Sequence, residues 1–182
     1  MEARRAAAAN DLAATGRPDA AVEVVAYDPG WPARFEAERR RLAGMLPGAR
    51  IEHIGSTAVP GLAAKPTIDV MALVDDLDLP IPVLVERGRY EFPPEYNATL
   101  ERRRWLCRPS ASLRLVHLHL TDDPDLLAEH LRFRDALRRD PELAAEYEAL
   151  KRSLAERFGH DREGYTAGKT GFVLRVTASG TC

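Results

Sequence analysis

Two stretches of the chain carry the residue types that chemistry needs. The first runs from Ile51-Glu52-His53-Ile54 through Gly55-Ser56-Thr57 to Lys65-Pro66-Thr67-Ile68-Asp69-Val70-Met71. An apolar run ends on Gly-Ser, and a second apolar run carries one acid. Glycine lets backbone approach a ligand closely. The amides and hydroxyls of Ser56 and Thr57 offer hydrogen-bond donors to an anion. Asp69 stands inside an apolar run, where a carboxylate is costly unless it is paired, hydrogen-bonded or bound to metal. The second stretch is Leu113 to Leu120. Its alternation puts His117 and His119 on one strand face, a spacing that suits a metal ion, although hydrogen-bonded core histidines have the same signature.

The cations have two readings each. Lys65 precedes the acid strand, as a phosphate contact or a surface lysine. Lys169 shares a helical face with Tyr165, Phe172 and Val176. A lysine on an inward stripe needs a partner, here a phosphate or Asp69, unless its stem is buried and its amine stays wet. Lys151 flanks its own helical stripe in the same way. Arg103 faces opposite to Arg102 and Arg104 by strand alternation, so Arg103 or Arg104 is expected to reach a cleft. Arg134-Asp135 is an internal ion pair or an arginine aimed at an anion. His53 orients the turn or a phosphate, or is a core histidine. Cys107 reads as a small buried hydrophobe. The chain carries no nucleophile elbow, Walker loop or dinucleotide fingerprint.

The surrounding pattern supplies elements to position these groups. Val22–Ala26 reads as a short β-type run, and Asp28-Pro29-Gly30 as a turn. A helix is expected from Pro32 to Leu46, closed by Pro47-Gly48. Strands follow at Arg50–Ile54 and Thr67–Val74, the second apolar on both faces apart from Asp69 and therefore central. A short helix from about Leu79 to Arg87 and an extended Tyr90–Phe92 lead to strands Glu101–Cys107 and Leu113–Leu120, with a turn over Pro109–Ser112. Thr121-Asp122-Asp123-Pro124, Asp140-Pro141 and Asp161 start three helices. Their stripes are Leu126, His130, Phe133 and Leu137; Leu143, Tyr147, Leu150, Leu154 and Phe158; and Tyr165, Lys169, Phe172 and Val176. Gly164, Gly168 and Gly171 weaken the last helix but permit close packing. The pattern is α+β: a small mixed sheet with helices and a C-terminal helical cluster.

The chain has 182 residues, enough for one domain with a real core, expected over 22–178 behind an Ala- and Arg-rich leader at 1–21. The tail from Thr177 is expected to be loose. A net charge of -2 gives no general attraction to nucleic acid or membranes. No apolar run approaches a membrane span, and the two cysteines have neither metal nor disulfide spacing. These features fit a cytoplasmic protein, monomer or homodimer, whose partner is a small molecule.

The run from Ile51 to Met71, with Tyr27-Asp28-Pro29-Gly30-Trp31, His117-Leu118-His119, Phe133-Arg134-Asp135, Lys151, Tyr165 and Lys169, resembles the GrpB (UPF0157) family, which is similar to the nucleotidyltransferase superfamily. The likeness extends from about Val24 to Val176. In the superfamily one strand ends on Gly-Ser and the next carries an acid-x-acid pair. Gly55-Ser56 and Asp69 fit; Met71 replaces the second acid. The third acid comes from a later strand, where this chain offers His117 and His119. The resemblance implies a nucleotidyltransferase-like fold and action on a nucleotide or small phosphorylated or anionic metabolite. It implies catalytic roles for Asp69, His119 and Lys169. It implies ligand contacts from His53, Gly55, Ser56, Thr57, Lys65, Arg103, Arg104, Arg134, Lys151 and Tyr165. Three versions of the site stay open. One divalent ion, Mg2+ or Mn2+, is held by Asp69 and the ligand's phosphates. Or Asp69 with His117 or His119 holds Zn2+ or another transition metal. Or the site binds an anionic ligand without metal. The matching functions are nucleotidyl transfer, metal-dependent or acid–base chemistry on a non-nucleotide metabolite, and a non-catalytic nucleotide- or metabolite-binding module. GrpB-like domains are sometimes fused to dephospho-CoA kinase, which brings a CoA-related ligand into view.

Overall fold

Four apolar runs with strand alternation build one sheet. In the structure, a computed structural model that describes residues 22–110 and 113–178, they are β1 (Arg50–Ile54), β2 (Ile68–Leu73), β3 (Arg103–Ser110) and β4 (Leu113–Thr121). The order is β1-β2-β4-β3. β1 is antiparallel to β2, β2 is parallel to β4, and β3 is antiparallel to β4. The helices are α1 (Trp31–Ala43), α2 (Ile81–Glu86), α3 (Pro94–Asn97), α4 (Pro124–Arg139), α5 (Pro141–Phe158) and α6 (Arg162–Ala178). The fold is α+β, with a mixed sheet flanked by helices.

Alternation divides the sheet into two faces. On one, Ile68, Val70, Ala72, Leu106, Val116, Leu118 and Leu120 pack against Trp31, Leu42 and Leu46 of the α1 region and Leu84 of α2. On the other, Asp69 lies opposite His117 and Met71 opposite His119 across the β2–β4 pair. β3 adds Trp105 opposite His119 and Cys107 opposite His117. The three C-terminal helices form their own core, with Phe133 and Leu137 of α4, Tyr147 of α5 and Phe172, Val173 and Val176 of α6.

Local chemistry explains the helix starts. Asp123 accepts from the amides of Asp125 and Leu126, and Asp140 accepts from those of Glu142 and Leu143. Both are N-caps followed by proline at the first helical position. Gly168 fits α6 against α5: a Cβ there would come within 2.4 Å of Leu154.

Several expected boundaries shift. The run at Val22–Ala26 makes only an isolated bridge between Val25 and Ala64. α1 ends at Ala43, and a turn carries the chain to Gly48, whose φ is 80°. β3 begins at Arg103 and continues through Pro109 and Ser110, where a turn was expected, because both still pair with β4, across a register shift between Arg108 and Pro109. On α4 the buried leucine is Leu127 rather than Leu126, since Leu127 packs on Ile54 and Met71. Thr177 and Ala178 belong to α6. The leader at 1–21 and the last residues, 179–182, lie outside the described residues.

Candidate functional site

The site forms where β2, the turn after β1 and the inner faces of α5 and α6 meet. Its centre is Asp69. The His117 Nδ1–H donates to Asp69 Oδ1 at 2.8 Å. The imidazole is fully buried, while Asp69 keeps 23% of its side chain exposed. The carboxylate is therefore the member of the pair that reaches solvent, with the histidine behind it. Burial holds His117 below the usual histidine range, although the bond to Asp69 works the other way. A neutral ring that gives its Nδ1 proton to the carboxylate keeps a lone pair on Nε2. Among the described residues that Nε2 has no hydrogen-bond partner.

Gly55 has a role different from the one its sequence setting implies. Its φ is 71°, and a Cβ there would meet Asp69 Oδ2 at 2.5 Å. The glycine makes room for the carboxylate as well as for the turn. Ser56 opens a single 3-10 turn, Ser56–Ala58, near enough to Tyr147 of α5 for its hydroxyl to act on the phenol. Thr57 is not available to a ligand. Its buried hydroxyl accepts from His53 Nε2 at 3.0 Å and donates to the Thr67 carbonyl at 3.1 Å. His53 belongs to the opposite face of the sheet, stacked on Phe35 with ring centroids 4.5 Å apart. Burial lowers its pKa to about 4. Of its two readings, the geometry is that of a core histidine.

Three lysines gather near the tyrosines of α5 and α6. The Lys169 ammonium lies 4.3 Å from the centroid of the Tyr165 ring and the Lys65 ammonium 5.6 Å from the same centroid. Lys151 lies 4.9 Å from the Tyr147 centroid and donates to the Ala63 carbonyl. Lys151 and Lys169 are each 3% exposed, so neither is a snorkelling lysine. Burial first, then the charges of Lys65 and Lys151, push Lys169 well below the ordinary lysine range; Asp69 acts in the opposite sense. Burial lowers Lys151 to about 7.

A profile of the family described as GrpB protein matches residues 21–179. The chain belongs to the GrpB family. A UPF0157 protein of Pseudomonas aeruginosa is 42% identical over 167 residues, covering 87% of this chain and 67% of that protein. One from Deinococcus radiodurans is 38% identical over 159 residues, covering 85% and 80%. A dephospho-CoA kinase of Mycolicibacterium paratuberculosis is 32% identical over 179 residues, covering 82% of this chain and 44% of the kinase. Among solved structures, the conserved protein GrpB from Enterococcus faecalis superposes with a TM-score of 0.74 at 32% identity, covering 86% of this chain and 98% of that one.

Within this GrpB fold the remaining expected residues are spread out. Arg103 is buried on the histidine face and donates to His119 Nδ1 at 3.4 Å. Arg104 points the other way and pairs with Asp78 at 2.7 Å. Arg134 is engaged by Glu52, Asp135 and the His53 carbonyl. Met71 is fully buried against Ile54 and Leu127. Asp69, His117 and His119 do not converge on one point, and among the described residues no three His, Cys, Asp or Glu side chains form a group that could hold a metal ion. Cys107 is buried, which raises its thiol to about 11. Two residues went unread in the sequence. Tyr147 stood out only as a core stripe member, yet its ring lies 4.9 Å from the Lys151 ammonium. His130 is fully buried close enough to Arg103 and Asp69 to feel both charges, and among the described residues neither ring nitrogen has a partner. A broad concavity of about 530 Å³, lined by Val85, Arg89, Tyr90, Glu91, Phe92 and Pro109, includes none of the site residues.

Proposed function

We propose that this GrpB-family protein binds the phosphate groups of a nucleotide or related phosphorylated small molecule between Ser56, Lys65 and Lys169 and acts on it with Asp69. The observation that carries this reading is the meeting of two ammonium groups at the ring of Tyr165, Lys169 at 4.3 Å and Lys65 at 5.6 Å from its centroid, with the Asp69 carboxylate near enough to act on Lys169. Buried like charges repel one another unless an anion joins them. In this reading the lysines take the phosphates, and Asp69, with one oxygen held by His117, accepts a proton from the attacking group through the other. His117 is then a positioning residue. The acceptor oxygen then bonds to the α-phosphorus as the α–β P–O bond breaks, and pyrophosphate leaves against the lysines, so the nucleotidyl group passes to a small acceptor.

Calorimetric titration with ATP, GTP, CTP and UTP tests the binding step. The likeness to a dephospho-CoA kinase adds CoA and dephospho-CoA to the ligands. At least one is expected to saturate the protein, with affinity lost in Lys169→Met. Silence towards all of them removes the proposal. The burial of Met71 where a second acid is expected favours a second reading, ligand sensing without turnover. Labelled nucleotide that binds yet stays intact with every acceptor offered would select it.

A further inference from the structure

We infer that the phosphate cradle works without a divalent cation: the ammonium groups of Lys65 and Lys169, backed by Lys151, occupy the role that a metal ion in a carboxylate cage plays in nucleotidyltransferases. This rests on the phosphate-binding reading above and names how the charge of that ligand is met.

A divalent ion is implied by the superfamily resemblance, and the residues present do not fit one. Magnesium is a hard cation that wants oxygen ligands and is usually anchored by one or two carboxylates. Asp69 supplies one carboxylate, and one of its oxygens already accepts from His117. The position of the second acid is Met71, whose soft thioether is fully buried under Leu127. On β4 the third position is taken by imidazoles. His117 turns its Nδ1 to Asp69, and His119 Nδ1 accepts a hydrogen bond from the Arg103 guanidinium. A permanent cation next to His119 disfavours a second one there. The nearest other acids are engaged: Glu148 accepts from the Ala63 amide and from Arg152, and Glu52 pairs with Arg134.

Cations have appeared where the acids are missing. Lys65 and Lys169 share Tyr165, and Lys151 stands behind Ala63. Lys65, Lys151 and Lys169 gather around Asp69, with Glu148 beside Lys151, so cations outnumber acids where a metal cage has the opposite balance. In the free protein burial first, with the neighbouring cations adding to it, pushes Lys151 and Lys169 towards the neutral amine. An anionic phosphate chain reverses this by favouring the charged form. Ligand binding therefore takes up protons at neutral to mildly alkaline pH. The groups that oppose or assist this charge are Asp69 and Glu148 on the acidic side and Arg152 and Lys65 on the basic side.

The test is calorimetric titration of the full chain with pyrophosphate and with ATP, in excess EDTA and again in Mg2+. Affinity in EDTA is expected to stay within about threefold of that in Mg2+, with Lys169→Met and Lys65→Met each weakening it about tenfold or more. Repeating the EDTA titration in buffers of different ionisation enthalpy is expected to show net proton uptake; none would count against lysine as the charge partner. If Lys169→Met does not fold, Lys65→Met, at a half-buried position, carries the same test. Binding that requires Mg2+, vanishes in Asp69→Asn and is untouched in the lysine variants overturns the inference while leaving the phosphate site standing. No binding of either probe under both conditions sinks the phosphate-binding reading itself.

Discussion

The two faces of the central sheet are made by alternate residues of the same strands, and they differ in almost everything else. Val70, Ala72, Leu118 and Leu120 are fully buried aliphatic side chains on the α1 face. One residue away along each strand, Asp69, His117 and His119 put titratable groups on the α4 face. The first face holds the sheet to its helices by apolar burial. The second keeps polar groups dry, where electrostatic effects are large and every partner counts. The difference teaches that apolar packing and titratable groups are assigned to opposite faces, so single substitutions can separate them.

The largest expected effect is on the apolar face. Leu118→Ala is expected to remove about 2–5 kcal/mol of stability and to leave phosphate affinity of the folded protein unchanged, read by denaturant unfolding and by titration well below the transition. A parallel loss of affinity would show that the faces are coupled. Asp69→Asn is the mirror image. It should lower turnover of the cognate phosphorylated ligand by about a hundredfold, roughly 2.7 kcal/mol, if the carboxylate is the proton acceptor, with little change in melting temperature. Gly55→Ala strikes the hinge between turn and strand: the positive φ and the contact with Asp69 together should cost about 1–3 kcal/mol and weaken phosphate binding as well.

Lys151 gives a test by pH. Its folded pKa, about 7, lies below the ordinary lysine value of 10.5. The unfolded chain thus binds more protons in that window, and stability should rise with pH from about 7 towards 10.5 by at most about 1.4 kcal/mol per unit. Lys151→Met should flatten the slope in thermal melts taken across the window. The smallest effect is expected from Arg104→Ala, which removes a pair with the largely exposed Asp78 and should shift stability by less than about 1 kcal/mol. Unchanged phosphate affinity in this variant sharpens the boundary of the site; a tenfold loss would bring Arg104 back inside it.

Much of this division was legible in the chain. Strand alternation alone places Asp69 with Met71 and His117 with His119, and helical spacing alone turns Tyr165, Lys169, Phe172 and Val176 inward, as they are. The partners were not legible, because periodicity describes an element and not its neighbours. Nothing in the spacing says that Asp69 sits opposite His117 rather than His119, that Lys65 and Lys169 share one tyrosine, or that Arg134 is taken up by Glu52 on a distant strand. Thr57 illustrates the same limit. A hydroxyl beside Gly-Ser reads as a ligand donor until His53 and the Thr67 carbonyl are seen to engage it.

The parallel pairing of β2 with β4 has a kinetic meaning. Asp69 and His117 are 48 residues apart, and Lys151 reaches Ala63 across 88. Contacts of such separation are entropically the hardest to close and delay folding. The β3–β4 hairpin and the capped C-terminal helices need no such closure. A refolding chain should therefore regain most of its circular dichroism before it can bind the proposed phosphorylated ligand, and the lag between the two signals measures the last loops to shut.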